Sequence, residues 1–262
     1  MQNNFVIIHP TAKIAENVEI EPFVTIGENV EIGEGTHIMP HVSIVKNTKI
    51  GKNCRIFPSA VIGAEPQDLK FAGEETFVEI GNNTTIRECV TIHRGTASYG
   101  KTIIGNNCLI MAYSHVAHDC VLKDNVIMSN AVQLAGEVKV DEFAIIGGGA
   151  LIHQFTKIGK HVIIQGGALV NKDIPPYIMA AREPIAYTGI NTVGLRRRGF
   201  SDEQITEIQD IYRIIFQSGL IISNAVVQVE QKFAKSTFKD EILNFITSSE
   251  RGVLKGAGHL KI

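Results

Sequence analysis

Aliphatic residues recur every six positions along most of this chain. Stepping by six from Ile8 gives Ile14, Ile20, Ile26, Ile32, Ile38, Ile44, Ile50, Ile56 and Ile62, ten isoleucines in one phase. The phase resumes at Ile80, Ile86 and Ile92 and runs again from Ile104 to Val170. Of the 28 positions on this grid 25 are aliphatic, the exceptions being Asp68, Glu74 and Ser98. So regular a spacing outranks local propensity as a structural signal. Four residues after each aliphatic stands a small or β-branched residue, as at Ala12, Val18, Val24, Val30, Thr36 and Val42. A six-residue unit is too short for a strand plus a helix but fits one short strand plus one corner. Three units close a triangular coil, and stacked coils pair strand on strand in parallel. Residues 8 to about 175 therefore read as a parallel β-helix of about eight coils, roughly 40 Å long at about 4.8 Å per coil. Glycine often follows the aliphatic directly, as in Ile26-Gly27, Ile32-Gly33, Ile50-Gly51, Ile104-Gly105 and Ile158-Gly159. It suits a backbone that turns sharply at a corner.

Two stretches leave the grid, residues 64–77 and 98–103, and both return in phase. They read as loops expelled from intact coils, and loops on a rigid scaffold often carry function. After Pro175-Pro176 the six-residue pattern stops and helical spacing begins. Ser201-x-x-Gln204 is a capping-box signature, followed by Ile205, Ile208, Ile211, Tyr212 and Ile215, with Ser218-Gly219 as the stop. Further helices are expected over about 223–234 and 238–249. The expected division is a β-helix domain over 1–190 and a small helical domain over 191–262, with the basic run Arg196-Arg197-Arg198 before its first helix.

Composition narrows the function. Aromatics are 6% with no Trp, and glycine is frequent at 24 of 262 residues, as suits stacked aliphatic rungs. A net charge of −2 argues against a nucleic-acid partner. The N-terminus does not resemble a signal peptide, and no apolar run approaches the roughly 20 residues that span a bilayer. A cytoplasmic protein without stable membrane insertion is expected. Cys54, Cys108 and Cys120 fall in the small inward slot, and with Cys89 they make no zinc or disulfide spacing. Neither a metal nor a cofactor is expected.

Inward slots are filled by the repeat, so polar groups on the outer surface are free for chemistry. The densest cluster is Ser114-His115-Val116-Ala117-His118-Asp119-Cys120. Histidine accepts a proton near neutral pH, and a carboxylate can orient it and stabilise its charged form. Gly136 lies three repeats beyond His118, one full coil, and Gln154 lies a further coil on. With 98–103 excised, His93 joins the same stripe one coil away, beside His153-Gln154.

Taken together, the repeat resembles the hexapeptide-repeat acyltransferase superfamily, whose members wind a left-handed β-helix, against the usual right-handed rule for parallel crossovers. Within it, the segments 67–74 (QDLKFAGE), 91–96 (TIHRGT), 115–120 (HVAHDC), 145–155 (IIGGGALIHQF), 173–177 (DIPPY) and 194–200 (GLRRRGF) are similar to the UDP-N-acetylglucosamine 3-O-acyltransferases of lipid A synthesis. The resemblance implies His118 as general base, Asp119 as its orienting partner and the Gly136 N–H as oxyanion donor. It implies sugar and phosphate contacts from Asp68, Lys70 and His115, with His93 on the same stripe. His153 and Gln154 would line the nucleotide-sugar groove, and Asn191, Arg197 and Arg198 would meet the nucleotide at the domain junction. Acyl carrier protein is the implied donor of a 3-hydroxyacyl chain, and a homotrimer the implied assembly, with sites between prisms. The family's acyl-chain ruler falls on Gly166. Each buried methylene favours a longer chain by about 0.8 kcal/mol, so chains of about 14 carbons or more should fit beside a glycine. Glu137 stands where the family often has a histidine, and Val193 where some members have a glutamate, which leaves a 3-hydroxyl or 3-amino sugar preference open.

Three rival readings share the fold. The related N-acyltransferase carries an extra N-terminal domain, for which a repeat beginning by Ile8 leaves no room. A γ-class carbonic anhydrase needs three histidines placed for zinc. A non-catalytic scaffold would not account for the histidine stripe or the excursions.

Overall fold

The computed structural model describes residues 5–257. From Ile7 to Val170 the chain forms 25 strands of two to four residues. They assemble into three parallel faces, each face taking every third strand. On the first face Ile8 pairs in register with Ile26, Ile26 with Ile44 and Ile44 with Ile62, each step spanning three repeats. The next step, Ile62 to Ile92, spans five repeats, and Ile92 to Val116 spans four, before three is restored. The two excursions thus insert two repeats and one repeat respectively. Both are whole repeats, which is why the aliphatic grid survives them.

The first excursion runs from 65 to 76, between strands Val61–Ala64 and Phe77–Ile80. The second runs from 94 to 100, between Thr91–His93 and Lys101–Ile104. It starts before the break at 98–103 expected from the sequence. The grid samples only every sixth residue, so a departure between Ile92 and Ser98 leaves no mark.

The corners correct the reading of the glycines. The left-handed residue lies three positions after each inward aliphatic, and most are not glycine: Asn17, Asn29, Asn53, Asn83, Asn107 and Asn125 have φ between 53° and 61°. Asparagine tolerates this region because its short polar side chain bonds locally. The glycines next to the aliphatics serve close stacking instead. A Cβ on Gly33 would stand 2.6 Å from the Gly51 backbone, and one on Gly81 would stand 2.6 Å from Gly105.

Inside, the aliphatic columns are buried from Ile26 onward, and Cys54, Cys108 and Cys120 occupy the small slot as free buried thiols. On the third face the outward column changes character along the prism. Glu19, His37, Arg55 and Thr85 give way to Leu109, Ile127, Ile145, Ile163 and Met179, all in register.

Four helices follow: α1 (Thr192–Arg197), α2 (Asp202–Gln217), α3 (Ile222–Lys232) and α4 (Thr237–Thr247). The capping box at Ser201 and Gln204 opens α2 with both reciprocal bonds present. Helix α1 adds to the sequence expectation, and it corrects the place of the basic run: Arg196 and Arg197 form its last turn and Arg198 its C-cap. Cations there complement the carbonyl end of the helix. The prism joins this domain through aromatic stacking. Phe143 and His161 occupy successive corners with rings 5.0 Å apart, Tyr177 lies 5.7 Å beyond, and Phe200 meets His161 edge-on at 5.2 Å. Lys160 reaches Glu241 of α4 at 2.5 Å, and the chain returns so that Lys255–Gly256 pairs with Ala186–Ile190. Among the described residues no helix is long and apolar enough to cross a membrane.

Candidate active site

His118, Asp119 and Cys120 are consecutive and point three ways. Cys120 fills the inward slot, Asp119 takes the left-handed corner at φ 59°, and His118 faces outward. The corner turns the carboxylate back on its neighbour, so His118 Nδ1 lies 2.9 Å from Asp119 Oδ2. The carboxylate accepts only, so the Nδ1 proton is donated to it and the lone pair resides on Nε2. Asp119 also accepts from the Thr96 N–H at 3.0 Å (Oδ1) and 3.1 Å (Oδ2), and from the Thr96 hydroxyl at 2.6 Å. Its own N–H donates to Thr102 Oγ1 at 2.9 Å.

One coil on, Gly136 lies under the ring of His118. A Cβ at Gly136 would stand 2.4 Å from His118 Nε2 and 2.5 Å from Cε1, so any side chain there would displace the ring. The Gly136 N–H has no partner among the described residues. On the other side the first excursion brings Asp68 Oδ2 to 3.8 Å from His118 Nε2. That loop is held from below by Arg94, whose buried guanidinium donates to Gly63 O and Glu65 and lies 5.1 Å from the Phe71 ring.

Two further histidines stand beside the pair. His115 Nδ1 is 2.7 Å from the Thr91 hydroxyl, and its ring meets His93 edge-on at 4.6 Å. Burial lowers the pKa of His93 to about 4, with His115, His118 and Arg94 adding to the effect. Burial also lowers His115, followed by the charge of His118. His93 is therefore neutral across the physiological range.

These groups border one cavity of about 720 Å³. Asp68, Lys70, His93, His115, His118, Gly136 and Gln154 all line it, with the aliphatic side chains of Leu134, Leu151 and Ile152. Six expected site residues do not, Asp119 because it is buried behind His118. His153 points away on the surface, its Nδ1 3.1 Å from Gln154 O. Asn191 is buried, its amide oxygen accepting from the Gly194 N–H at 3.0 Å and its nitrogen donating to His161 O at 2.9 Å. Arg198 lies over the Phe143 ring at 5.1 Å, Arg197 is exposed in α1, and Gly166 stacks on Gly148 in another corner. Sequence reading missed Gln67 and Gln133 in the lining, and Thr96 and Arg94 behind it. The segment 91–96 stands out in the sequence for its histidine, but only the fold brings Thr96 to Asp119.

A left-handed coil of hexapeptide repeats with a His–Asp pair beside an open cavity defines a hexapeptide-repeat acyltransferase. The profile for "Udp N-acetylglucosamine O-acyltransferase; Domain 2" matches residues 173–254, and that for "Bacterial transferase hexapeptide (six repeats)" matches 101–136. A "GMPPB C-terminal domain" profile matches 2–67. The acyl-[acyl-carrier-protein]–UDP-N-acetylglucosamine O-acyltransferase of Thiobacillus denitrificans is 46% identical over 95% of this chain and 99% of its own. That of Alkalilimnicola ehrlichii is 48% identical over 95% and 97%. The crystal structure of the UDP-N-acetylglucosamine acyltransferase of Bacteroides fragilis superposes with a TM-score of 0.95 at 53% identity, covering 97% of this chain and 100% of that one. This chain belongs to the UDP-N-acetylglucosamine O-acyltransferase family, and it is an O-acyltransferase.

The contact between Gly136 and His118 yields a direct prediction. Gly136→Ala should lower turnover at least about 10²-fold if the ring takes part in catalysis, because a catalytic group displaced by about 1 Å loses that much. The variant should still fold, since the clash falls on the His118 ring and leaves the inward aliphatic column untouched. Turnover near wild type would mean that the ring does not work from this position.

Proposed function

We propose that this enzyme transfers a 3-hydroxyacyl chain from acyl carrier protein to the 3-hydroxyl of UDP-N-acetylglucosamine, the first step of lipid A biosynthesis. The observation that carries the chemistry is His118, with Nδ1 committed to Asp119 and Nε2 turned into the cavity. Nε2 takes the proton of the sugar hydroxyl as its oxygen attacks the thioester carbonyl. The carbonyl π electrons move to oxygen, and the free Gly136 N–H donates to that oxyanion. Collapse breaks the carbon–sulfur bond, and His118 returns the proton to the departing thiol. Asp119 keeps the imidazolium oriented between the two transfers.

Asp68 and Lys70 would hold the sugar and phosphates, with His115 and Gln154 along the groove. His93, held neutral, offers a hydrogen bond without charge, and burial shifts His115 in the same direction. Arg197, exposed at the end of α1, suits an anionic nucleotide or acidic carrier protein. Asn191 and Arg198 act by fixing α1 to the prism. We place the division of labour at residue 190, with acyl transfer in 1–190 and the junction in 191–262, and the reaction in the cytoplasm.

A homotrimer completes the site. The outward column Leu109, Ile127, Ile145, Ile163 and Met179 gives a neighbouring copy an apolar surface to pack against, which would add a further wall to the cavity. His153, directed away from this cavity, would belong to the groove shared with that copy.

His118→Ala should cut turnover by about 10²–10⁴-fold, the contribution of a positioned general base, with folding and assembly intact. Near-normal turnover of the purified variant would remove His118 from the mechanism. Acyl length gives the second test. Gly166 is not left-handed, and a Cβ there would lie 3.0 Å from Gly148 O, so its lack of a side chain is only partly a backbone requirement. Gly166→Met should shift preference toward shorter donors at little cost in rate on them. A wild-type enzyme that prefers a ten-carbon over a fourteen-carbon donor would refute the ruler, since each buried methylene is worth about 0.8 kcal/mol.

A further inference from the structure

Asp119 presents a problem that the base reading alone does not solve. Its side chain is 0% exposed, and a buried carboxylate is costly unless donors satisfy it. Among the described residues its oxygens have two sources of donors, His118 and Thr96. Thr96 supplies both its N–H and its hydroxyl. That hydroxyl accepts from the Ser98 N–H at 3.2 Å, which leaves its single proton for Asp119 Oδ2 at 2.6 Å. Every donor other than the base itself therefore comes from one threonine, 23 residues earlier in the chain.

The neighbours of Thr96 are tied in the opposite direction. Arg94, with 2% of its side chain exposed, pairs with Glu65 at 3.1 Å. The Ala97 N–H donates to Glu74 at 3.0 Å. Between them Gly95 packs so closely that a Cβ would stand 2.2 Å from the Lys101 nitrogen. Residues 94–97 thus hold the loop of Asp68 and Lys70 on one side and the catalytic carboxylate on the other.

We propose that Thr96 is a positioning residue for acyl transfer: its hydroxyl and N–H aim Asp119, so that His118 keeps its Nδ1 proton and presents Nε2 to the acceptor hydroxyl. The proposal rests on the reading of His118 as the base. Without the hydroxyl, Oδ2 loses its shortest bond and the carboxylate can rotate away from Nδ1. The base then samples the wrong tautomer and tilts over Gly136. Thr96 does not line the cavity, so substrate binding is untouched.

The test compares Thr96→Val, Thr96→Ser and His118→Ala as purified full-length enzymes, assayed with 3-hydroxyacyl carrier protein and UDP-N-acetylglucosamine. Thr96→Val should lower kcat about tenfold or more, within the 10²–10⁴ that a general base supplies, with the sugar-nucleotide KM nearly unchanged. Thr96→Ser, which restores the donor, should recover most of the rate. In an Asp119→Ala background Thr96→Val should cost nothing further, because the two act as one unit. A folded Thr96→Val with wild-type kcat, a serine variant as slow as the valine one, or an undiminished cost in the Asp119→Ala background would each overturn the proposal. If the valine variant does not fold, Thr96→Cys, a similar volume with a weaker donor, is read by the same criterion. Near-normal His118→Ala would overturn the base reading instead, whatever Thr96 does.

Discussion

Stacking in register is the constraint on which the rest of this protein depends. Each coil lies on the previous one, so a residue in an outward slot sits over the same slot one coil away. His118 over Gly136 is such a pair, and so are Thr91 and His115. The interior sets the register through the aliphatic column, and the outside inherits it. Both excursions insert whole repeats, two in the first and one in the second, so the chain can grow loops without shifting any slot. Chemistry is then placed by substitution on a fixed lattice.

The same constraint explains what was legible in the sequence. The grid, the three faces, the two excursions and the capping box of α2 follow from period and cap chemistry, which are local signals. His118, Gly136 and Gln154 fall on one stripe because steps of three repeats are countable, and Asp119 is legible as the neighbour of His118 in the chain. Thr96 and Asp119 are 23 residues apart, in no register at all, and only the folded excursion joins them. The corner glycines were misread because close stacking and a left-handed turn both favour glycine, while asparagine meets the second demand. Asn191 looked available as a polar residue at a junction, but both ends of its amide are used in holding α1 and the His161 carbonyl.

Electrostatically the site is spare. One carboxylate is buried and given donors, one imidazole is oriented by it, and burial lowers the pKa of the two neighbouring imidazoles, that of His93 to about 4. The second carboxylate, Asp68, stands 3.8 Å from Nε2 on a loop braced by Arg94, beside the position proposed for the sugar hydroxyl. The loops that left the repeat therefore contribute as much to the centre as the coils do.

The most direct test of this account is to incubate the purified protein with 3-hydroxyacyl carrier protein and UDP-N-acetylglucosamine, and to locate the acyl group in the product by mass spectrometry and NMR. One ester, on the sugar 3-hydroxyl, is the predicted product. Thioester hydrolysis without sugar acylation, or acylation at a different hydroxyl, would contradict the placement of the base and the function built on it.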